Sequence, residues 1–175
     1  MDQRERILET VGELTTARRR LPSILEVATE VGLTKQGVLH YFPTRATLDA
    51  AVVARAVARV DIAMQEAATA TGGSPVATYL RLSSPDDSDC AAAVVVLAAA
   101  AQRPEGGLSP EVQEAARRWE TLIADEVGDV VRAEVVRLVG DGLFVEALVT
   151  GVPPAIERIE RLVAHLRNSP VERRT

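Results

Sequence analysis

Ser23–Phe42, SILEVATEVGLTKQGVLHYF, is the stretch whose reading decides the fold. It reads as two short helices joined by a tight turn at Gly32. Ser23, with Glu26 three residues on, is a capping box: hydroxyl and carboxylate cover amides that a helix start leaves unpaired. Ile24, Val27, Ala28 and Val31 then recur on one helical face. Ala28 is small where a second helix must cross closely, and Gly32 suits a left-handed backbone that is cheap only without a Cβ. Val38 faces inward to lock the pair. Thr34 is the N-cap of the second helix, which leaves Lys35, Gln36 and Gly37 at its tip, where a recognition helix meets bases and phosphates in a major groove. A plain helical hairpin in an all-α core would show one or two of these features. Their combination in this order favours a helix-turn-helix that binds double-stranded DNA.

The residues that follow carry a family resemblance. Gly32–Leu48, GLTKQGVLHYFPTRATL, together with the opening Arg4-Glu5-Arg6-Ile7-Leu8, resembles the N-terminal domain of TetR-family (tetracycline-repressor-like) transcriptional regulators. The resemblance implies an all-α fold: a three-helix helix-turn-helix DNA-binding domain over 1–46, a helical ligand-binding and dimerisation domain over 47–168, and a flexible tail over 169–175. It also implies a homodimer on a palindromic operator, with two recognition helices meeting successive major grooves about 34–36 Å apart. Three departures stand out. Leu14–Pro22, LTTARRRLP, replaces the usual Leu-Phe pair and glycine-containing turn. Leu39 stands where a phosphate-contacting Tyr is common. Gln36 replaces a common Gly, and Gly37 a common Thr or Ala. A glycine inside a helix costs about 1 kcal/mol relative to alanine, so Gly37 serves either close approach to DNA or mobility before binding.

Roles follow from side-chain chemistry. Gln36 offers a bidentate amide to adenine, and Lys35 reaches a guanine edge or a phosphate. Thr34, Tyr41 and Arg45 would position the domain on the backbone, which sets register without reading sequence. Tyr41 could instead pack under its helix, and His40 could touch a phosphate or simply stand exposed. Phe42 is core. The 175-residue chain carries a formal net charge of −5, so any basic surface must be local. Its first fifty residues hold seven basic side chains (Arg4, Arg6, Arg18, Arg19, Arg20, Lys35, Arg45) against seven acids, a neutral head. Arg18–Arg20 are either phosphate contacts or a solvated helix end beside a negative C-terminus.

Beyond the head, Leu48, Val52, Ala56, Val60 and Met64 form one stripe of a long helix that breaks at Thr71–Pro75, TGGSP. Ser84–Asp89 is an acidic turn that opens the next helix. Cys90–Ala101 is apolar on every face and too short to span a bilayer, which takes about 20 such residues, so it reads as a central buried helix. Arg103–Gly107 ends it. Ser109-Pro110 starts another, with Val112, Ala116, Trp119 and Ile123 on a stripe. Gly128 interrupts that pattern, a further one runs over 130–149, and Pro153-Pro154 opens a last helix with Ile156, Ile159, Leu162, Val163 and Leu166. The resemblance places dimer pairing on the last two long helices. Arg137–Phe144, RLVGDGLF, resembles a stretch of one group of TetR ligand domains, and its glycines allow close helix approach or a kink.

A small-molecule effector needs an apolar concave wall with a few polar groups. Tyr79, Cys90, Trp119 and Phe144 are the candidate ligand-binding residues, with Arg81, Arg103 or Asp141 as polar contacts, and the composition suits an apolar or amphipathic effector. Little supports catalysis. The two histidines are His40 and His165, and there is no HExxH, no cysteine pair and no Gly-rich phosphate loop. No enzyme activity, cofactor, metal site or membrane contact is expected, and with no apolar leader the chain reads as cytoplasmic. The leading expectation is a ligand-responsive repressor. The alternative is a helical dimer that binds a small molecule or partner protein without operator recognition, suggested by Leu39, Gly37 and the neutral head.

Overall fold

The structure, a computed structural model, describes residues 2–83, 88–101 and 109–168. The expected acidic turn over 84–87, the break and Arg103 over 103–107, and the tail over 169–175 lie outside the described residues. The described chain is all-α: α1 (Gln3–Arg18), α2 (Ile24–Glu30), α3 (Lys35–Tyr41), α4 (Arg45–Thr69), α5 (Pro75–Leu82), α6 (Ser88–Ala101), α7 (Pro110–Val127), α8 (Val130–Thr150) and α9 (Ile156–Asn168). The breaks fall where the local chemistry puts them. Gly32, Gly72, Gly128 and Gly151 all sit at positive φ between helices, the conformation open to a residue without Cβ. Ser74 caps α5 by accepting the Ala77 amide, with Pro75 in its first turn. Asp129 caps α8 the same way through the Arg132 amide. The end of α1 is the exception, because Arg19 takes the left-handed seat with φ 53°.

Two compact units share the chain. One comprises residues 1–58 and 85–109, the other 59–84 and 110–175, so α4 contributes to both. The core of the first unit joins Ile7, Leu8, Val11 and Leu14 of α1, Val27 and Ala28 of α2, Val38 of α3, Leu48 and Val52 of α4, and Ala92 and Val96 of α6. α6 and α1 approach closely at Gly12, where an added Cβ would stand 3.1 Å from the Ser88 carbonyl oxygen. Arg55 of α4 fastens the same region. Its Nε donates to Asp89 Oδ2 at 3.0 Å, and its Nη1 donates to the Glu5 carbonyl and Glu5 Oε2, both at 3.1 Å. Asp89 is almost wholly buried, so the guanidinium offsets a carboxylate removed from water.

The second unit buries Val60 and Met64 of α4, Val76 and Leu80 of α5, Ile123 of α7, Val136 and Phe144 of α8, and Ile159 and Leu166 of α9. Every residue of the expected α4 stripe, from Leu48 to Met64, is buried. Two expectations shift. α6 buries one face, with Ala91, Ala92, Ala93 and Val96 inside but Ala98 and Ala99 exposed; an alanine face presents too little apolar area to demand cover on all sides. α9 starts at Ile156, beyond the two prolines, and leaves Ile156 itself exposed.

α8 is apolar on two faces. Ala133, Val136, Leu143, Phe144 and Ala147 point into the unit, whereas Val131, Val135, Leu138, Val145 and Val149 stand 41–77% exposed. With Gly142 these exposed positions are separated alternately by four and three residues, the spacing of a heptad stripe.

Candidate nucleic-acid interface

The α2–turn–α3 unit is built as its residues dictate. Ser23 Oγ accepts the Glu26 amide at 3.2 Å, and Glu26 Oε2 accepts the Ser23 amide at 2.7 Å, the reciprocal capping box. At the far end of α2 the Leu33 amide donates to the Ala28 carbonyl at 2.8 Å and the Gly32 amide to the Thr29 carbonyl at 3.3 Å. This pair of bonds around a left-handed glycine (φ 71°) closes a helix while turning the chain sharply. Thr34 Oγ1 then accepts the Gly37 amide at 3.0 Å and starts α3. Val27, Ala28 and Val38 are buried where the two helices cross.

This leaves Lys35 and Gln36 exposed in the first turn of α3, with no side-chain hydrogen bond or ion pair among the described residues. Thr34 is exposed beside them, and Gly37 is half-buried. His40 and Tyr41 are exposed at the end of α3, their rings edge to face with centroids 5.4 Å apart. Phe42 is buried, and the Arg4 guanidinium lies over its ring at 5.1 Å.

The arginines divide in a way the sequence does not reveal. Arg18 and Arg20 both close on Glu26, with Arg20 Nη2 2.6 Å from Oε1. The Arg20 hydrogen bond, then the Ser23 amide and hydroxyl, hold the Glu26 carboxyl below the usual carboxylate range. Arg19, between them, is exposed and unpaired among the described residues. Arg45 also turns inward: its Nε donates to Asp49 Oδ1 at 2.7 Å and its Nη1 to the Pro22 carbonyl, tying the start of α4 to the α1–α2 loop. Thr44 and Thr47 cap that start reciprocally. Glu26 lies six and eight residues from its arginines across a loop, so no helical spacing announces the pairing.

Of the effector-site candidates, Tyr79 and Trp119 come together, with ring centroids 6.5 Å apart and planes tilted by 50°. Trp119 Nε1 donates to Asp61 Oδ1 at 2.6 Å, and Arg118 closes on the other oxygen of that carboxylate. The Tyr79 hydroxyl donates to Asp141 Oδ1 at 3.2 Å, while Arg137 holds Oδ2. Desolvation of the ring, reinforced by the Asp141 charge, pushes the Tyr79 phenol above its ordinary range and keeps it protonated. α8 passes close over Tyr79 at Gly140, where a Cβ would meet Tyr79 Cε1 at 2.6 Å. Phe144 is buried in the same unit, whereas Cys90 belongs to the other. Residue type marks the aromatic rings in the sequence, but nothing local marks Asp61, which sits on α4 nearly sixty residues before its partners.

Comparisons agree with this architecture. A family model described as the C-terminal domain of tetracycline-repressor-like proteins matches residues 73–169. A structure solved for the molecular basis of control of antibiotic production by a bacterial hormone superposes with a TM-score of 0.70 and 25% identity, covering 93% of this chain and 94% of that one. The multidrug-binding protein EbrR complexed with imidazole superposes with a TM-score of 0.61 and 23% identity over 99% of each chain, a likeness of fold. No curated protein matches. No helix among the described residues is long and apolar enough to cross a membrane.

Proposed function

Because the chain belongs to the tetracycline-repressor-like family of regulators, we propose that it is a ligand-responsive transcriptional repressor. Two copies bind a palindromic operator in the cytoplasm, and a small molecule releases them. The observation that carries this reading is the tip of α3, where Lys35 and Gln36 are exposed and unengaged beside a helix start that Thr34 caps. Gln36 reads a base edge. Lys35, Thr34, Tyr41 and His40 hold the phosphate backbone, and Gly37 lets it approach. Arg45 acts through position: it fixes the entry to α4 and reaches the backbone only with the guanidinium capacity left by Asp49 and Pro22. The division into a DNA-binding domain over 1–46 and an effector and dimerisation domain over 47–168 is part of the same proposal.

Dimerisation uses the exposed seam of α8, Val131 to Val149, a reading supported by the resemblance to TetR regulators, which pair protomers through their last two long helices. The effector is a small apolar or amphipathic molecule held near Tyr79, Trp119 and Phe144, the rigid faces of the second unit. It acts by preferring the state of the dimer that does not bind operator, since a ligand shifts an equilibrium only by its differential affinity.

A second reading has an observation of its own. Arg18, Arg20 and Arg45 are neutralised by Glu26 and Asp49, which leaves the head few cations for phosphate and suits a helical dimer that binds a small molecule or partner protein without an operator. Selection of bound sequences from a random DNA pool, followed by salt titration on the winner, separates the two. The repressor reading expects an enriched palindrome with steep salt dependence. It also expects Lys35→Ala to weaken binding evenly and lower the salt slope by about 1, and Gln36→Ala to relax preference at one base position. No enrichment at low salt supports the second reading.

A further inference from the structure

The second unit carries a groove that neither the α3 tip nor the aromatic rings use. Ala63 and Ala67 of α4, Ala70 just past its end, Ala77 of α5 and Val163 of α9 line a groove of about 550 Å³. That volume lies within the range small-molecule sites occupy. The alanines give it an apolar body whose room comes from the shortness of their side chains. Its wall is fixed in place: Arg167 of α9 holds Glu126 at 2.7 Å, and Glu126 in turn accepts the Ser74 hydroxyl at 2.6 Å and the Val76 amide at 2.8 Å. Arg167 is therefore committed to the scaffold.

Two charges on the groove are not. Glu66 of α4 and Arg81 of α5 both line it, both are exposed, and neither forms an ion pair with the other or with any described residue. We propose that this groove binds a small amphipathic zwitterion. Its ammonium meets Glu66, its carboxylate takes the forked N–H donors of Arg81, and its hydrocarbon chain lies over the alanines. A purely anionic amphiphile would face Glu66 unpaired, and a purely cationic one would face Arg81. The site goes beyond operator recognition and stands whether or not the chain binds DNA.

Calorimetric titration of the full chain with 6-aminohexanoate and 8-aminooctanoate, against hexanoate and hexylamine, tests it. Saturable binding of one zwitterion per chain is expected, with the singly charged analogues weaker by about tenfold or more, the worth of one charge-assisted hydrogen bond. Arg81→Gln and Glu66→Gln, both at exposed side chains, should each weaken the zwitterion by a similar factor. Ala67→Leu, which fills the groove, should abolish binding. No saturable binding of either zwitterion overturns the proposal. So does equal binding of hexanoate, hexylamine and the zwitterion by the parent, or unchanged affinity in Arg81→Gln, which would leave only unspecific apolar contact.

Discussion

Gly37 has room for a methyl group and does without one. A Cβ there would stand 3.4 Å from Leu33 Cβ and 3.5 Å from Thr34 Oγ1, ordinary contact distances, so nothing inside the chain requires glycine. Helix propensity alone favours alanine by about 1 kcal/mol. On the proposed reading, the glycine answers to DNA approaching this side of α3. Gly37→Ala should raise unfolding free energy in urea by about 0.5–1 kcal/mol while weakening binding to the selected operator in fluorescence anisotropy. Unchanged operator affinity would remove Gly37 from the contact surface. Arg45 teaches the converse lesson at the same scale. Its chemistry suits a phosphate, but its geometry spends that chemistry on Asp49 and Pro22, so arginine as a residue type does not by itself mark a backbone contact.

Among elements, α8 carries the sharpest test. Gly140 lies against α5, and alanine there would drive a methyl group to 2.6 Å from Tyr79 Cε1 and 2.7 Å from Ser83 Oγ. Overpacking costs about 1–3 kcal/mol and outweighs the helix-propensity gain of about 1 kcal/mol. Gly140→Ala should lower the melting temperature and disturb the Trp119 fluorescence, since Tyr79 is the ring packed toward Trp119. The elements whose ends are set locally were legible before the fold was known. Ser23 and Thr34 announce helix starts, Gly32 announces the turn, and the apolar spacing of α4 announces its buried stripe. What lay beyond reading is cooperation between distant segments. The bonds from Arg55 to Glu5 and Asp89, from Asp61 to Trp119, and from Glu126 to Ser74 and Arg167 each join residues more than thirty positions apart, and no local periodicity encodes them. The exposed tip of α3 was legible because capping chemistry fixes where a helix begins and hence which side chains stand at its mouth. The internal neutralisation of Arg18 and Arg20 was not, because it depends on how a loop folds back.

For the whole molecule, the proposed dimer rests on the exposed seam of α8. Val131, Val135, Leu138, Val145 and Val149 present an apolar stripe on a chain with a net charge of −5, and a stripe of that kind is a liability in a monomer. Leu138→Arg places a charge at its centre without touching the opposite, buried face. Sedimentation equilibrium should then report half the parent mass, with affinity for the palindrome falling toward that of a single half-site. A parent chain that sediments as a monomer would refute the assignment of the seam. α4 bears on a different question, how such a chain can change over evolutionary time. Its stripe runs unbroken from Leu48 to Met64 across both units, and each residue of an α-helix advances the side chains by about a quarter turn or slightly more. Losing or gaining one codon between Ala56 and Val60 would rotate Val60 and Met64 off the line that Leu48, Val52 and Ala56 define. The exposed face of this segment can drift in composition, but its length is held, so an insertion or deletion here costs more than a substitution on that face.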